Sequence, residues 1–148
     1  RSGTLNVPAI VGFGTAVEIG VQEMEKENER FEAWTDRMFD HLKDELGDGE
    51  RNGHPEKRLA HNLNVYIPGI ESRALIVDLK ETAIATGSAC TSADVEPSHV
   101  IAAMHDEQRA HSSVRISMGR ANEDEEINEA AQRITKAATQ LRAFSLSD

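Results

Sequence analysis

One cysteine in 148 residues leaves no possibility of an internal disulfide or of a zinc site built from several thiolates. Cysteine usage of this kind makes a reducing compartment, the cytoplasm, the default expectation. Basic runs are missing too. The eleven arginines and five lysines are scattered, and the formal net charge is -10. A chain so acidic, without a clustered basic face, is not expected to bind nucleic acid directly. No apolar stretch approaches the roughly 18 residues of a membrane span, because glycine or charge interrupts each one. The residues ahead of the first helical pattern carry no signal-peptide features, and there are no internal repeats or low-complexity tracts. The length suits one domain of ordinary size and is too short for two. The chain opens at Arg1 and enters a helical pattern within a few residues, as expected of a piece cut from a longer protein.

The pattern along the chain divides into a leading helical segment, 1–46, and a region 62–148 that holds a sheet, a cysteine loop and a terminal helix. Pro8 fits a first helical turn, with Val11, Ala16 and Ile19 after it. Phe31, Trp34, Met38 and Leu42 recur at spacings of three and four, one apolar stripe. Gly47 and Gly49 stop the helix. Residues 48–61 are polar and read as a loop. Asn62 to Ile67 alternate as a strand with Leu63, Val65 and Ile67 on one face, and Pro68-Gly69 turns the chain. A short helix is expected over 72–80, burying Leu75, Ile76 and Leu79, and a β-prone stretch over 82–86. A helix follows from Pro97 to about Met104. Ser113 to Met118 alternate as a further strand, with Val114, Ile116 and Met118 opposite Ser113, Arg115 and Ser117. Asn122 and Glu125 resemble a capping pair ahead of a terminal helix with core stripe Ile127, Ala131, Ile134, Ala138 and Leu141. The fold class expected is α+β, a short and mostly antiparallel sheet with helices packed on one face.

Three places could carry chemistry. A lone cysteine is most often a small buried hydrophobe. Cys90, however, lies in Gly87-Ser-Ala-Cys-Thr-Ser-Ala93, seven small or polar residues that cannot form a core and that suit an accessible loop. Its reactivity requires a raised thiolate fraction, for which His99, His105 and His111 are the nearest partners in sequence. Their six-residue spacing does not share a helical face, so a histidine-only metal site is rejected. Arg115, on the polar side of its strand, is either a surface arginine paired with an acidic neighbour or a fork for a carboxylate. Arg1-Ser-Gly-Thr4 reads, from its residues alone, as a terminal tail.

Ala85-Thr-Gly-Ser-Ala-Cys-Thr-Ser-Ala-Asp-Val-Glu-Pro-Ser-His-Val100 is similar to the active-cysteine loop of cysteine desulfurases. His111-Ser-Ser-Val-Arg-Ile-Ser-Met-Gly-Arg120 resembles the strand that follows that loop, and Arg1-Ser-Gly-Thr-Leu-Asn-Val-Pro8 the start of the last portion of the same enzymes. The order and gaps agree over essentially the whole chain. The resemblance implies the small C-terminal domain of an aminotransferase-like, pyridoxal phosphate-dependent homodimer. Such an enzyme removes sulfur from L-cysteine, leaving L-alanine and a persulfide that passes to an acceptor protein. By the same resemblance Cys90 is the catalytic nucleophile, Arg115 binds the substrate carboxylate, and Thr4 reaches the cofactor phosphate in the partner subunit's site. No metal site is implied beyond a transient iron–sulfur contact at Cys90.

The family's cofactor lysine, pyridine-facing acid and phosphate cradle lie upstream of the matched segment. Lys26, Lys43, Lys57, Lys80 and Lys136 resemble none of that machinery. The chain alone is therefore expected to bind no pyridoxal 5'-phosphate and to need the missing large domain or a complementing chain. Two other readings stand beside this one: a non-enzymatic sulfur relay through Cys90, and an oligomerisation module whose cysteine is vestigial.

Overall fold

The computed structural model describes residues 2–87 and 97–145. Asn6 opens the first helix, α1 (Val7–Leu46), by accepting the Ala9 amide on its side-chain oxygen at 3.2 Å, with Pro8 in the first turn. The helix ends at Gly47, whose φ of 80° is open to glycine, and the Gly47 N–H returns to the Lys43 carbonyl at 2.8 Å. At 40 residues it is about 60 Å long. Its two halves differ. Phe31, Trp34, Thr35, Met38, Leu42 and Leu46 are buried, whereas Val7, Val11, Phe13, Val21 and Met24 are each more than half exposed. The stripe anticipated at 31–42 is core; Val11, Ala16 and Ile19 cover nothing among the described residues.

Three strands form one antiparallel sheet in the order β1 (Glu50–Arg51), β2 (Asn62–Tyr66), β3 (Ser113–Ser117). β1 lies inside the segment expected to be a loop. Two residues are too few to show alternation, and only pairing to β2 defines them. The strand expected at 82–86 reduces to a single bridge, Ala85 with Arg115. Between the strands run α2 (Ser72–Asp78), α3 (His99–Met104) and α4 (Glu107–His111). α2 stops short of Lys80 and leaves Ile76 only half-buried. α3 starts after Pro97 because Ser98 caps it, accepting the Ile101 amide at 3.4 Å. The five-residue α4 had no sequence signal of its own.

The last helix, α5 (Asp124–Ser145), is capped one residue later than expected. Glu126, not Glu125, closes the turn, accepting the Glu123 amide at 3.1 Å and the Asn122 side-chain amide at 3.2 Å. α1 and α5 lie together over one face of the sheet. There Leu63, Val65, Val114 and Ile116 join Met38, Leu42, Ile127, Ala131, Ile134 and Ala138 in one apolar cluster. Each fully buried large side chain contributes about 1.5–3 kcal/mol.

Polar ties sit at both ends of the α1–α5 contact. At one end Asp124 accepts from Arg37 at 2.7 Å and from the Trp34 indole at 3.0 Å, and Arg120 pairs with Glu27. At the other, Arg142 donates to the Leu46 carbonyl at 3.0 Å and the Pro68 carbonyl at 2.8 Å. That satisfies a carbonyl which the end of α1 leaves without an intrahelical partner.

Candidate functional site

The second face of the sheet is polar. Pairing sets Asn64 opposite Arg115, Tyr66 opposite Ser113 and Asn62 opposite Ser117. Glu50 lies opposite Tyr66 on the other side of β2. Directly opposed residues share a face, so these seven side chains stand on the side away from α1 and α5. Asn52 joins them. Its amide nitrogen donates to Asn64 Oδ1 at 2.7 Å and to Ser113 Oγ at 2.8 Å.

α4 then supplies Arg109, whose Nε donates to Asn52 Oδ1 at 2.6 Å and whose Nη1 donates to Glu50 Oε2 at 2.7 Å. The guanidinium lies 4.6 Å from the Tyr66 ring centroid, a cation–π distance. Ser113 Oγ completes a closed circuit by donating to the Arg109 carbonyl at 2.7 Å. Ser113, expected on an open polar face, is fully buried for this reason.

Arg115 sits at the centre of that face and is fixed through its backbone on both sides. β2 holds one edge. On the other, its N–H donates to the Ala85 carbonyl at 2.6 Å, and the Ala85 N–H donates to its carbonyl at 3.0 Å. The side chain is half-buried, and no described residue forms an ion pair or hydrogen bond with its guanidinium. The acidic neighbour that a surface arginine would have is therefore not found among the described residues. A half-buried, backbone-anchored, unpaired guanidinium is suited to receive a carboxylate in bidentate fashion.

The expected nucleophile, Cys90, lies outside the described residues. Its flanks do not. Ala85 is bridged to Arg115, Thr86 is buried, and a Cβ built on Gly87 would meet the Ser98 Cα at 3.5 Å. Gly87 and Ser98 thus lie side by side, next to the strand that carries Arg115. His99, His105 and His111 are all exposed.

Thr4 is exposed ahead of α1, at the end of the helix remote from the sheet. The described residues do not bring it to Arg115. Lys26, Lys43, Lys57, Lys80 and Lys136 are exposed on α1, α5 and loops, and none occupies a position on the Arg115 face. The arrangement does not fit an anchored pyridoxal cofactor held by this chain's own described residues. Among those residues no group of His, Cys, Asp and Glu is arranged to hold a metal ion, and no helix is long and apolar enough to cross a membrane.

Sequence reasoning missed Asn52, Arg109 and Glu50. Asn64 had a signal, since the alternation that put Leu63 and Val65 on the core face puts Asn64 on the other. Asn52 and Arg109 had none, being 57 residues apart.

Residues 1–129 match the family described as aminotransferase class-V. The cysteine desulfurase IscS of Pseudomonas putida (strain W619) is 44% identical over 146 residues, which is 98% of this chain and 36% of that protein. The cysteine desulfurase IscS of Pseudomonas entomophila (strain L48) is similar to the same extent. Among solved structures, the NifS-like protein from Rickettsia africae ESF-5 superposes with a TM-score of 0.77 at 25% identity, covering 94% of this chain and 36% of its own. Another NifS-like protein gives 0.74 at 27% identity, with 94% and 35% covered. The chain spans little more than a third of the length of the curated relatives it matches.

Proposed function

The chain belongs to the aminotransferase class-V family, and from that premise we propose that it is the C-terminal part of a cysteine desulfurase. One observation carries the reading. Arg115, an arginine whose side chain has no partner among the described residues, is bridged through its backbone to the residue that leads into the Cys90 segment. Cys90 is three steps along the chain from Gly87, a span of at most about 11 Å for any chain. The segment that carries the thiol thus sets out from beside the carboxylate clamp.

In this reading Arg115 holds the α-carboxylate of L-cysteine and fixes the orientation of the substrate. The Cys90 thiolate takes the substrate sulfur: the substrate carbon–sulfur bond breaks, a sulfur–sulfur bond forms, and the carbon gains a proton. The products are L-alanine and a Cys90 persulfide, which accounts for every atom of L-cysteine and the thiol without an outside oxidant. Pyridoxal 5'-phosphate, when bound, supplies an electron sink. The lysine and acid that hold it belong to the part of the protein outside this chain, while Thr4 offers a neutral hydroxyl to its phosphate in the partner subunit of a homodimer. The persulfide then goes to an acceptor protein, in keeping with iron–sulfur cluster assembly in the cytoplasm, where Cys90 could touch a nascent cluster transiently. The uncovered front half of α1, from Val7 through Met24, is the surface against which the rest of the protein packs, and residues 1–148 act as its single C-terminal domain.

The test is alanine release from L-cysteine by the full-length protein, with persulfide read by mass spectrometry. Cys90→Ala is expected to lose the persulfide, and Arg115→Ala to raise KM with the protein still folded. Full-rate alanine release by Cys90→Ala would remove the nucleophile assignment.

A further inference from the structure

Glu50 is the only carboxylate at a strand position of the polar face. Sheet spacing puts its Cα about 12 Å from that of Arg115, two strands across and two residues along. An extended glutamate and an extended arginine can meet over that separation. Oppositely charged groups within reach of each other on one face favour pairing, though less than directly opposed neighbours do. Yet Glu50 turns to Arg109, and Arg115 has no partner among the described residues.

Arg109 is built to hold it. The side chain is only 15% exposed, though the Glu50 carboxylate it grips is 60% exposed. Its guanidinium is fixed by Tyr66 beneath and by Asn52 beside. Asn52 is fixed in turn by Ser113, and Ser113 by the Arg109 carbonyl. The Asn64 side-chain oxygen, opposite Arg115, is also occupied by Asn52. A circuit that immobilises one arginine thus engages the carboxylate of the face and the amide oxygen opposite the other arginine.

We propose that Arg109 is a positioning residue that sequesters Glu50, so that Arg115 stands free for the carboxylate of an incoming amino acid. The inference rests on the reading of Arg115 given above. It adds a specific competitor and the device that restrains it. If Glu50 is released, Arg115 spends part of its time paired within the chain. Apparent substrate affinity then falls by the fraction of time the arginine remains free. For a partly exposed pair that fraction corresponds to a rise in KM of up to about sixfold.

The experiment uses the full-length protein and the variants Arg109→Leu, Glu50→Gln, the double Arg109→Leu/Glu50→Gln, and Arg115→Ala, each checked for a retained fold by circular dichroism. A crystal structure of Arg109→Leu is expected to show the Glu50 carboxylate against Arg115, and its KM for L-cysteine to rise severalfold, up to about sixfold, with kcat nearly unchanged. The double variant is expected to return KM to within about twofold of wild type, a rescue that a merely structural role for Arg109 would not give. Arg109→Lys, which keeps the charge near Glu50, is expected to fall between. Glu50 remaining apart from Arg115 in the Arg109→Leu structure, or a KM that Glu50→Gln does not rescue, overturns the proposal. If wild type releases no alanine, or Arg115→Ala leaves KM unmoved, the functional reading fails. The crystal structure still decides whether Arg109 keeps Glu50 from Arg115.

Discussion

Leu63, Val65, Val114 and Ile116 are at most 5% exposed beneath α1 and α5, whereas Asn64 and Arg115, one residue away on the same strands, face the other way and are only partly covered. The same ten residues of β2 and β3 therefore serve two purposes, divided by the period-two alternation of a strand. One face is closed by helices and holds the fold together. The other is held by a hydrogen-bonded circuit and leaves the Arg115 guanidinium unclaimed among the described residues. The lesson is that burial sets what is costly to change on the first face, while pairing sets it on the second.

Four measurements would break or sharpen that contrast. Leu63→Ala, on the closed face, is expected to cost about 2–5 kcal/mol in urea denaturation, since its fully buried site cannot collapse completely. On the polar face Asn52→Ala should cost less, about 1–3 kcal/mol, by leaving Arg109, Asn64 and Ser113 without the partner they share. A value as large as that for Leu63→Ala would mean that the polar face holds the fold as strongly as the core. Arg115→Ala should change stability by no more than about 0.5 kcal/mol, because no described residue depends on its side chain. In the complete protein it should still weaken substrate binding by about 1.5–3 kcal/mol. A marked loss of stability would show that Arg115 is a structural residue after all.

The smallest effect concerns pH and the ties beside the closed face. The Asp124 carboxyl is held below its ordinary value by the hydrogen bond from Arg37 and then that from Trp34; Glu27 is lowered by Arg120, and Glu126 by Asn122 and then the Glu123 amide. Folding favours the charged form of each. Their contribution is complete above the usual carboxylate range and drains away as pH falls below about 4. Asp124 and Glu126 are exposed and Glu27 is partly covered, so the loss should be slight and salt-sensitive. Acid titration of the melting temperature, with and without Asp124→Asn, would show it; a curve unchanged by the substitution would assign no role to this tie.

The closed face was largely legible in the sequence. Phe31, Trp34, Met38 and Leu42 marked the packed half of α1, and the alternation of Leu63, Val65, Val114 and Ile116 marked β2 and β3, because burial writes a period into the chain. Arg115 was legible as the polar counterpart of that alternation. The circuit around it was not, since Asn52, Arg109 and Ser113 come from distant places and hydrogen bonding between single side chains leaves no period. β1 and α4 were missed because two and five residues are too short to carry one. The strand expected at 82–86 met only Arg115 as a partner, at Ala85, and so stayed a bridge. The roles of Cys90 and Thr4 came from resemblance; nothing about the burial of Thr4 would have suggested one.

The unequal halves of α1 also have a mechanical side. The helix is a beam clamped at one end, from Phe31 onward, with about 36 Å of rod projecting beyond the clamp to Val7. A tilt of about 5° at the clamp swings the far tip, where Thr4 begins, by about 3 Å. For the role proposed for Thr4, that is the difference between a hydroxyl within reach of a phosphate oxygen and one out of reach. Among the described residues the direction of the tip is set at the root, by Trp34 and Arg37 on Asp124 and by Arg120 on Glu27, far from Thr4 itself.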